Sequence, residues 1–177
     1  MILKLKLTPA IYLVGFMGCG KSSVGRALAQ ELGWTFIDLD DDIEKCASAS
    51  IAHIFDTQGE ANFRALETEA LKKRVEIARS GRPQVISLGG GAFTMEENIE
   101  LVLHHGVTVW LDAPFEVMER RLAEETHRPL ARDPLHMKNL FDQRRGAYAL
   151  ADYRIETGED GPAAIVSRIL ALPLFSP

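Results

Sequence analysis

Apolar residues along this chain fall into two alternating kinds of run. Short, uninterrupted, largely β-branched runs occupy residues 11–14, 35–37, 85–88 and 107–111, with a last one near 153–156. Runs of that length and type predict strands buried on both faces. Between them apolar positions recur at helical spacing over 22–32, 60–79, 96–104, 114–125, 135–149 and 163–172. In the first of these helices Val24, Ala27, Leu28 and Leu32 share a face, and Gly33 ends it. In the longest, Phe63, Leu66, Ala70 and Ile77 share a side, and Gly81, Arg82 and Pro83 follow its end. Strand–helix alternation predicts an α/β fold with a parallel sheet. Residues 125–134 carry little apolar periodicity and two prolines, which predicts a surface loop with a lid as one use. Neither repeat nor long linker interrupts the pattern, so a single domain over residues 1–177 is expected.

Composition leaves that picture intact. Hydrophobic residues make up 46% and charged residues 25% of 177, ordinary values for a globular chain with a core. A net charge of −5 argues against a broad basic face for nucleic acid or membrane, so no such partner is expected. An anionic ligand would need a local group of arginines and lysines. Cys19 and Cys46 are too few for a disulfide framework and read as free thiols in a reducing cytoplasm. Lysine and leucine alternate near the N-terminus without a cleavage-site pattern, and no run approaches a membrane span, so a soluble, untargeted chain is expected.

Chemistry enters at residues 15–22, Gly-Phe-Met-Gly-Cys-Gly-Lys-Ser, which match G-x(4)-G-K-[ST]. Glycines let the backbone turn tightly, so successive N–H groups point inward as an anion nest. The helix that follows presents its positive end to the same phosphates. Lys21 supplies a charge to the β- and γ-phosphates, and the Ser22 hydroxyl suits Mg²⁺. A glycine-rich turn with an incidental Lys-Ser pair is the plain alternative, but the loop also follows a buried strand and opens a helix, as the motif requires.

Five further groups are candidates. Asp38 and Asp40 stand at the end of the second strand, where parallel folds bind ligands. An aspartate there can serve Mg²⁺ or an acceptor hydroxyl; the plain alternative is that Asp40, Asp41 and Asp42 merely cap the next helix, with Asp41 and Asp42 its capping and solvated members. Arg64 and Glu67 are three apart on a helix; spacing alone favours a surface pair, whereas a carboxylate clamp would need Arg64 aimed by Glu67. Gly89, Gly90 and Gly91 follow the third strand and suit either close backbone approach to a ligand or a tight turn. Arg128 lies in the loop with Pro129, Leu130 and Arg132, where it can close over phosphate or remain solvated. Arg144 and Arg145 are adjacent in a helical pattern, so at most one faces a pocket.

The segments GFMGCGKSSVGRALA, FIDLDDDIE, IFDTQGEANFRALE, GGG, HRPL and RRGAYALAD, in this order and spacing, resemble the shikimate kinase family over roughly residues 11–170. The resemblance implies a three-layer P-loop kinase fold of the nucleoside monophosphate kinase kind, with a five-stranded parallel sheet. It implies a substrate-binding segment at about 43–69 and a lid at about 123–133. The implied reaction passes the γ-phosphoryl group of ATP to the 3-hydroxyl of shikimate, with Mg²⁺, in aromatic amino-acid biosynthesis. Carried onto this chain, Gly18, Cys19, Gly20, Lys21, Ser22 and Ser23 hold the nucleotide, with Arg128 reaching its phosphates. Asp40 meets the shikimate hydroxyls, Arg64 and Arg144 clamp its carboxylate, and Gly90 meets it through backbone, leaving Arg145 outside. Ser22 ligates the metal and Asp38 assists through water. Lys21, Asp40 and Arg128 are then the catalytic set, in a cytoplasmic monomer. Ser23 in place of threonine, Ala131 in place of a second leucine, and the lack of glycine over 47–50 depart from the pattern without removing a catalytic group. A gluconate kinase of similar build, or a relative that binds but no longer catalyses, are the competing readings.

Overall fold

The computed structural model of the protein describes residues 2–124 and 133–175. The chain opens with helix α1 (Ile2–Leu7) and strand β1 (Ala10–Val14). There follow α2 (Lys21–Leu32), β2 (Thr35–Asp38), α3 (Leu39–Ala47) and α4 (Ile51–Arg79). Strand β3 (Gln84–Ser87), helix α5 (Glu96–His104), β4 (Val107–Asp112), α6 (Phe115–Glu124) and α7 (Pro134–Tyr148) come next. Strand β5 (Tyr153–Glu156) and α8 (Pro162–Leu170) complete the order.

All five strands lie parallel in one sheet, in the order β2-β3-β1-β4-β5. Every residue of β1, β3 and β4 is buried, as expected of central strands, including the polar Gln84, Ser87, Thr108 and Asp112. Helices flank the sheet and close the core around Tyr12, Leu13, Leu28, Ile86 and Leu111. Because β1 leads out to the edge strand β2 before the chain returns on β3, the carboxyl ends of β1, β2 and β3 open side by side. Ligands of parallel α/β sheets bind at that edge.

The predicted strands and most predicted helices stand within about two residues of their expected ends. Two differences bear on function. Helix α4 begins at Ile51, and the stretch before residue 60 is joined to the rest across a kink at Gly59, whose φ of 81° is left-handed. The buried side of α4 is also turned from the expected one. It carries Phe63, Glu67, Thr68, Ala70, Leu71, Val75 and Ala78, while Leu66 and Ile77 are half-buried. Apolar counting misses that face because two of its members are polar. Helix α1 falls in the lysine–leucine stretch, where no element was expected. Arg128, with Pro129, Leu130, Ala131 and Arg132, lies outside the described residues.

Candidate active site

The loop of residues 15–22 joins β1 to α2. Gly18 and Gly20 adopt φ of 76° and 96°, and Gly20 stands as the N-cap of α2. A Cβ on Gly15 would lie 2.7 Å from the carbonyl of Leu111 and 2.9 Å from Cys19 Sγ, so the loop is closely seated on β4. The Lys21 side chain folds back over it. Its ammonium donates to the carbonyls of Gly15 and Phe16 at 2.8 and 2.9 Å.

Ser22 Oγ donates to Asp38 Oδ2 at 2.5 Å, and Asp38 Oδ1 accepts from the backbone N–H of Asp40 at 3.1 Å. Asp38 therefore both meets the phosphate loop and caps α3. The expectation that Asp40, Asp41 or Asp42 caps that helix is corrected, since these three occupy its first turn. Asp42 is not simply solvated either. Arg74 of α4 meets both its carboxylate oxygens, with Nε donating to Oδ2 at 2.8 Å.

The acceptor-side candidates converge on the three glycines after β3, and each glycine faces a different one. A Cβ on Gly89 would lie 2.8 Å from Asp40 Oδ1 and 3.2 Å from Glu67 Oε2. On Gly90 it would lie 3.2 Å from Arg144 Nη1 and 3.7 Å from Tyr148 Oη. On Gly91 it would lie 2.6 Å from Arg64 Nη1, inside any real contact. The run of glycines is thus a row of seats for charged side chains from α3, α4 and α7. Tyr148 fixes the row by donating from its hydroxyl to the Gly90 carbonyl at 2.6 Å. Burial pushes the Tyr148 phenol well above its ordinary range, so it stays a donor.

Arg64 and Glu67 are not the surface pair that their spacing favoured. Glu67 is 1% exposed and accepts from Arg64 Nη1 at 2.8 Å. Burial raises the Glu67 carboxyl above its ordinary range, Arg64 opposes that, and Asp40 adds to it. Arg144 lies over the Phe16 ring at 5.8 Å, whereas its neighbour Arg145 pairs with Asp112 at 2.6 Å and stacks on Trp110 at 5.0 Å.

A cleft of about 560 Å³ runs along this edge. Gly18, Cys19, Gly20, Lys21, Ser22 and Ser23 line it together with Asp38, Asp40, Gly89 and Gly90. Arg64 and Arg144 line a second hollow together with Thr94. Arg121 was not foreseen. It donates to the carbonyls of Gly18 and Gly158 at 3.2 and 2.9 Å, and with Pro162 it lines the same cleft. An arginine on an amphipathic helix carries no local mark of that reach.

A phosphate loop facing an arginine-rich pocket across the carboxyl edge of this sheet defines a small P-loop kinase. The family model for shikimate kinase matches residues 17–172, and the chain belongs to that family. A shikimate kinase from Persephonella marina is 42% identical over 161 residues, covering 90% of this chain and 96% of its own. The structure of the shikimate kinase from Acinetobacter baumannii in complex with shikimate superposes with a TM-score of 0.85 at 35% identity, covering 96% of this chain and 95% of that one. The Aquifex aeolicus shikimate kinase gives a TM-score of 0.77 at 41% identity, covering 91% of this chain and 93% of the other.

Proposed function

We propose that this chain transfers the γ-phosphoryl group of ATP to the 3-hydroxyl of shikimate, giving ADP and shikimate 3-phosphate. The observation that carries the reading is the seating of Asp40, Arg144 and Arg64 on three successive glycines opposite the phosphate loop. Phosphoryl transfer asks the protein mainly to position two anions and spread their charge. Backbone N–H groups of residues 15–22 and the Lys21 ammonium receive the nucleotide phosphates. Lys21 must exchange its carbonyl partners in the loop for phosphate oxygens to do so. Arg64 and Arg144 receive the acceptor carboxylate, and the Arg64 fork, aimed by Glu67, suits two parallel hydrogen bonds. Gly90 offers backbone at close range. Asp40 orients the acceptor hydroxyl and takes its proton as the bond to phosphorus forms. Arg128, in the segment 123–133 that we assign as lid, adds charge neutralisation on the donor side. The nucleoside extends toward Arg121 and Pro162.

A magnesium ion fits the donor side. The Ser22 hydroxyl and the Asp38 carboxylate put two hard oxygens 2.5 Å apart at the mouth of the loop, and this ion takes few protein ligands beside phosphate and water. Ser22 would hold it directly and Asp38 through water. When bound, the ion neutralises charge on the β- and γ-phosphates. Among the described residues no helix is long and apolar enough to cross a membrane. We take the working unit to be a single cytoplasmic domain acting as a monomer, with its substrate-binding segment at about 43–69.

The test is ADP release over a panel of shikimate, gluconate and nucleoside monophosphates. Release with shikimate alone is expected. Comparable turnover of gluconate would sink the assignment, and ATP binding with no release for any acceptor would point to a protein that binds without catalysing.

A further inference from the structure

Helix α4 turns inward, beside the Arg64–Glu67 pair, a polar side chain that the reaction does not use. Thr68 is 8% exposed, and Asn98 on α5 is wholly buried. The Thr68 hydroxyl donates to Asn98 Oδ1 at 2.9 Å, and Asn98 Nδ2 donates to the Ala92 carbonyl at 3.1 Å. This two-bond chain starts one residue past Glu67 and ends one residue past Gly91. It therefore spans the same two segments that Arg64 and Gly91 bring into contact. Within the loop, Thr94 Oγ1 donates to the Gly91 carbonyl at 2.7 Å, and the Ala92 N–H donates to the Gly89 carbonyl at 3.0 Å. A shift at Ala92 is carried to the glycine row.

An apolar pair would fill this space without the desolvation that two buried polar side chains incur. What hydrogen bonds add is a set distance and direction, since they weaken steeply when stretched or bent. Distance matters at this place. The row is seated so closely that a single Cβ on Gly91 would meet the Arg64 guanidinium.

We propose that Thr68 and Asn98 are positioning residues for the acceptor. They hold the Gly89–Gly91 row at the separation from α4 at which Arg64 and Gly90 meet one substrate together. Neither touches ligand. The kinetic consequence rests on the shikimate reading, while the structural one stands apart from it.

Thr68→Val keeps the shape and removes the hydroxyl donor, whereas Thr68→Ser keeps the donor. Thr68→Val should raise the KM for shikimate about five- to tenfold while moving the KM for ATP less than about twofold, and Thr68→Ser should stay within about twofold of the unsubstituted enzyme. In the same proteins, amide hydrogen exchange should quicken at Ala92 and Thr94 in Thr68→Val and remain unchanged at Cys19 and Val24. Asn98→Ala, which removes both bonds, should show the same split and serves if the valine variant does not fold. Both KM values moving together, neither moving, or serine raising the shikimate KM as valine does would overturn the proposal. If the unsubstituted chain does not turn over shikimate, the function reading fails and exchange alone decides. Quickening confined to the glycine loop then upholds the positioning role, and its absence refutes it.

Discussion

Arg64 and Glu67 stand three positions apart on α4, a spacing that on an exposed helix is worth little. Burial changes its meaning. With Glu67 enclosed, the Arg64 fork is held at one end and aimed at the other. The same enclosure raises the Glu67 carboxyl above its ordinary value of 4.5, against the pull of Arg64 from α4 and Arg144 from α7 and with the push of Asp40 from α3. Protonation on the acid side thus releases Arg64 at a pH where exposed carboxylates remain charged. kcat/KM for shikimate should fall in that range, and Glu67→Gln should flatten this acid limb while raising the KM. A limb that persists unaltered in Glu67→Gln would exclude Glu67 as its source. Asp40 gives a second expectation. Asp40→Asn should lower kcat about a hundredfold or more and leave ATP binding by calorimetry close to normal, as loss of a proton acceptor does. Near-normal turnover would remove Asp40 from the mechanism.

At the scale of elements, the glycine row joins three helices to the end of β3. Gly91→Ala should push the Arg64 guanidinium aside and raise the shikimate KM more than about tenfold, because a bidentate charged contact contributes roughly 1.5–3 kcal/mol. ATP affinity, set across the cleft, should hold; an equal loss of both would mean that the loop itself had collapsed. How far such elements can be read from sequence depends on what marks them. The strands and α5 were legible because unbroken apolar runs and helical spacing are local signals. The phosphate loop was legible because its residue types follow from the chemistry of phosphate. Helix α4 was legible only from residue 60 onward, since Gly59 reads as a break and is in fact a kink within a longer element. Its inward face was misread because Glu67 and Thr68 are buried among partners that lie far away in sequence. Arg121 was invisible for the same reason: its reach to Gly18 spans 103 residues. Resemblance to a family named Asp40, Arg64, Gly90 and Arg144, but nothing short of the fold set the three charged side chains each against its own glycine.

For the whole molecule, the enclosed Glu67 sets stability against function. Its folded pKa lies above the unfolded one, so protonated Glu67 contributes its full stabilisation below the unfolded value, and that contribution is lost as pH rises through the folded pKa. Glu67→Gln, uncharged throughout, should melt higher than the unsubstituted protein at neutral pH, with the gap closing as pH falls toward 4.5. Thermal melts across pH would show this, and a gap that widens on acidification would contradict it. The row at 89–91 carries a different consequence, a genetic one. Every missense change at a glycine codon adds at least a β-carbon, and all three positions already have a neighbour where it would go. Gly146, Gly158 and Gly161 have nothing within 4 Å of that place. In a saturation library grown without aromatic amino acids, the first three codons should return almost only synonymous changes, and the latter three should drift freely. The enzyme's catalytic requirement would then be written most plainly at residues that have no side chain.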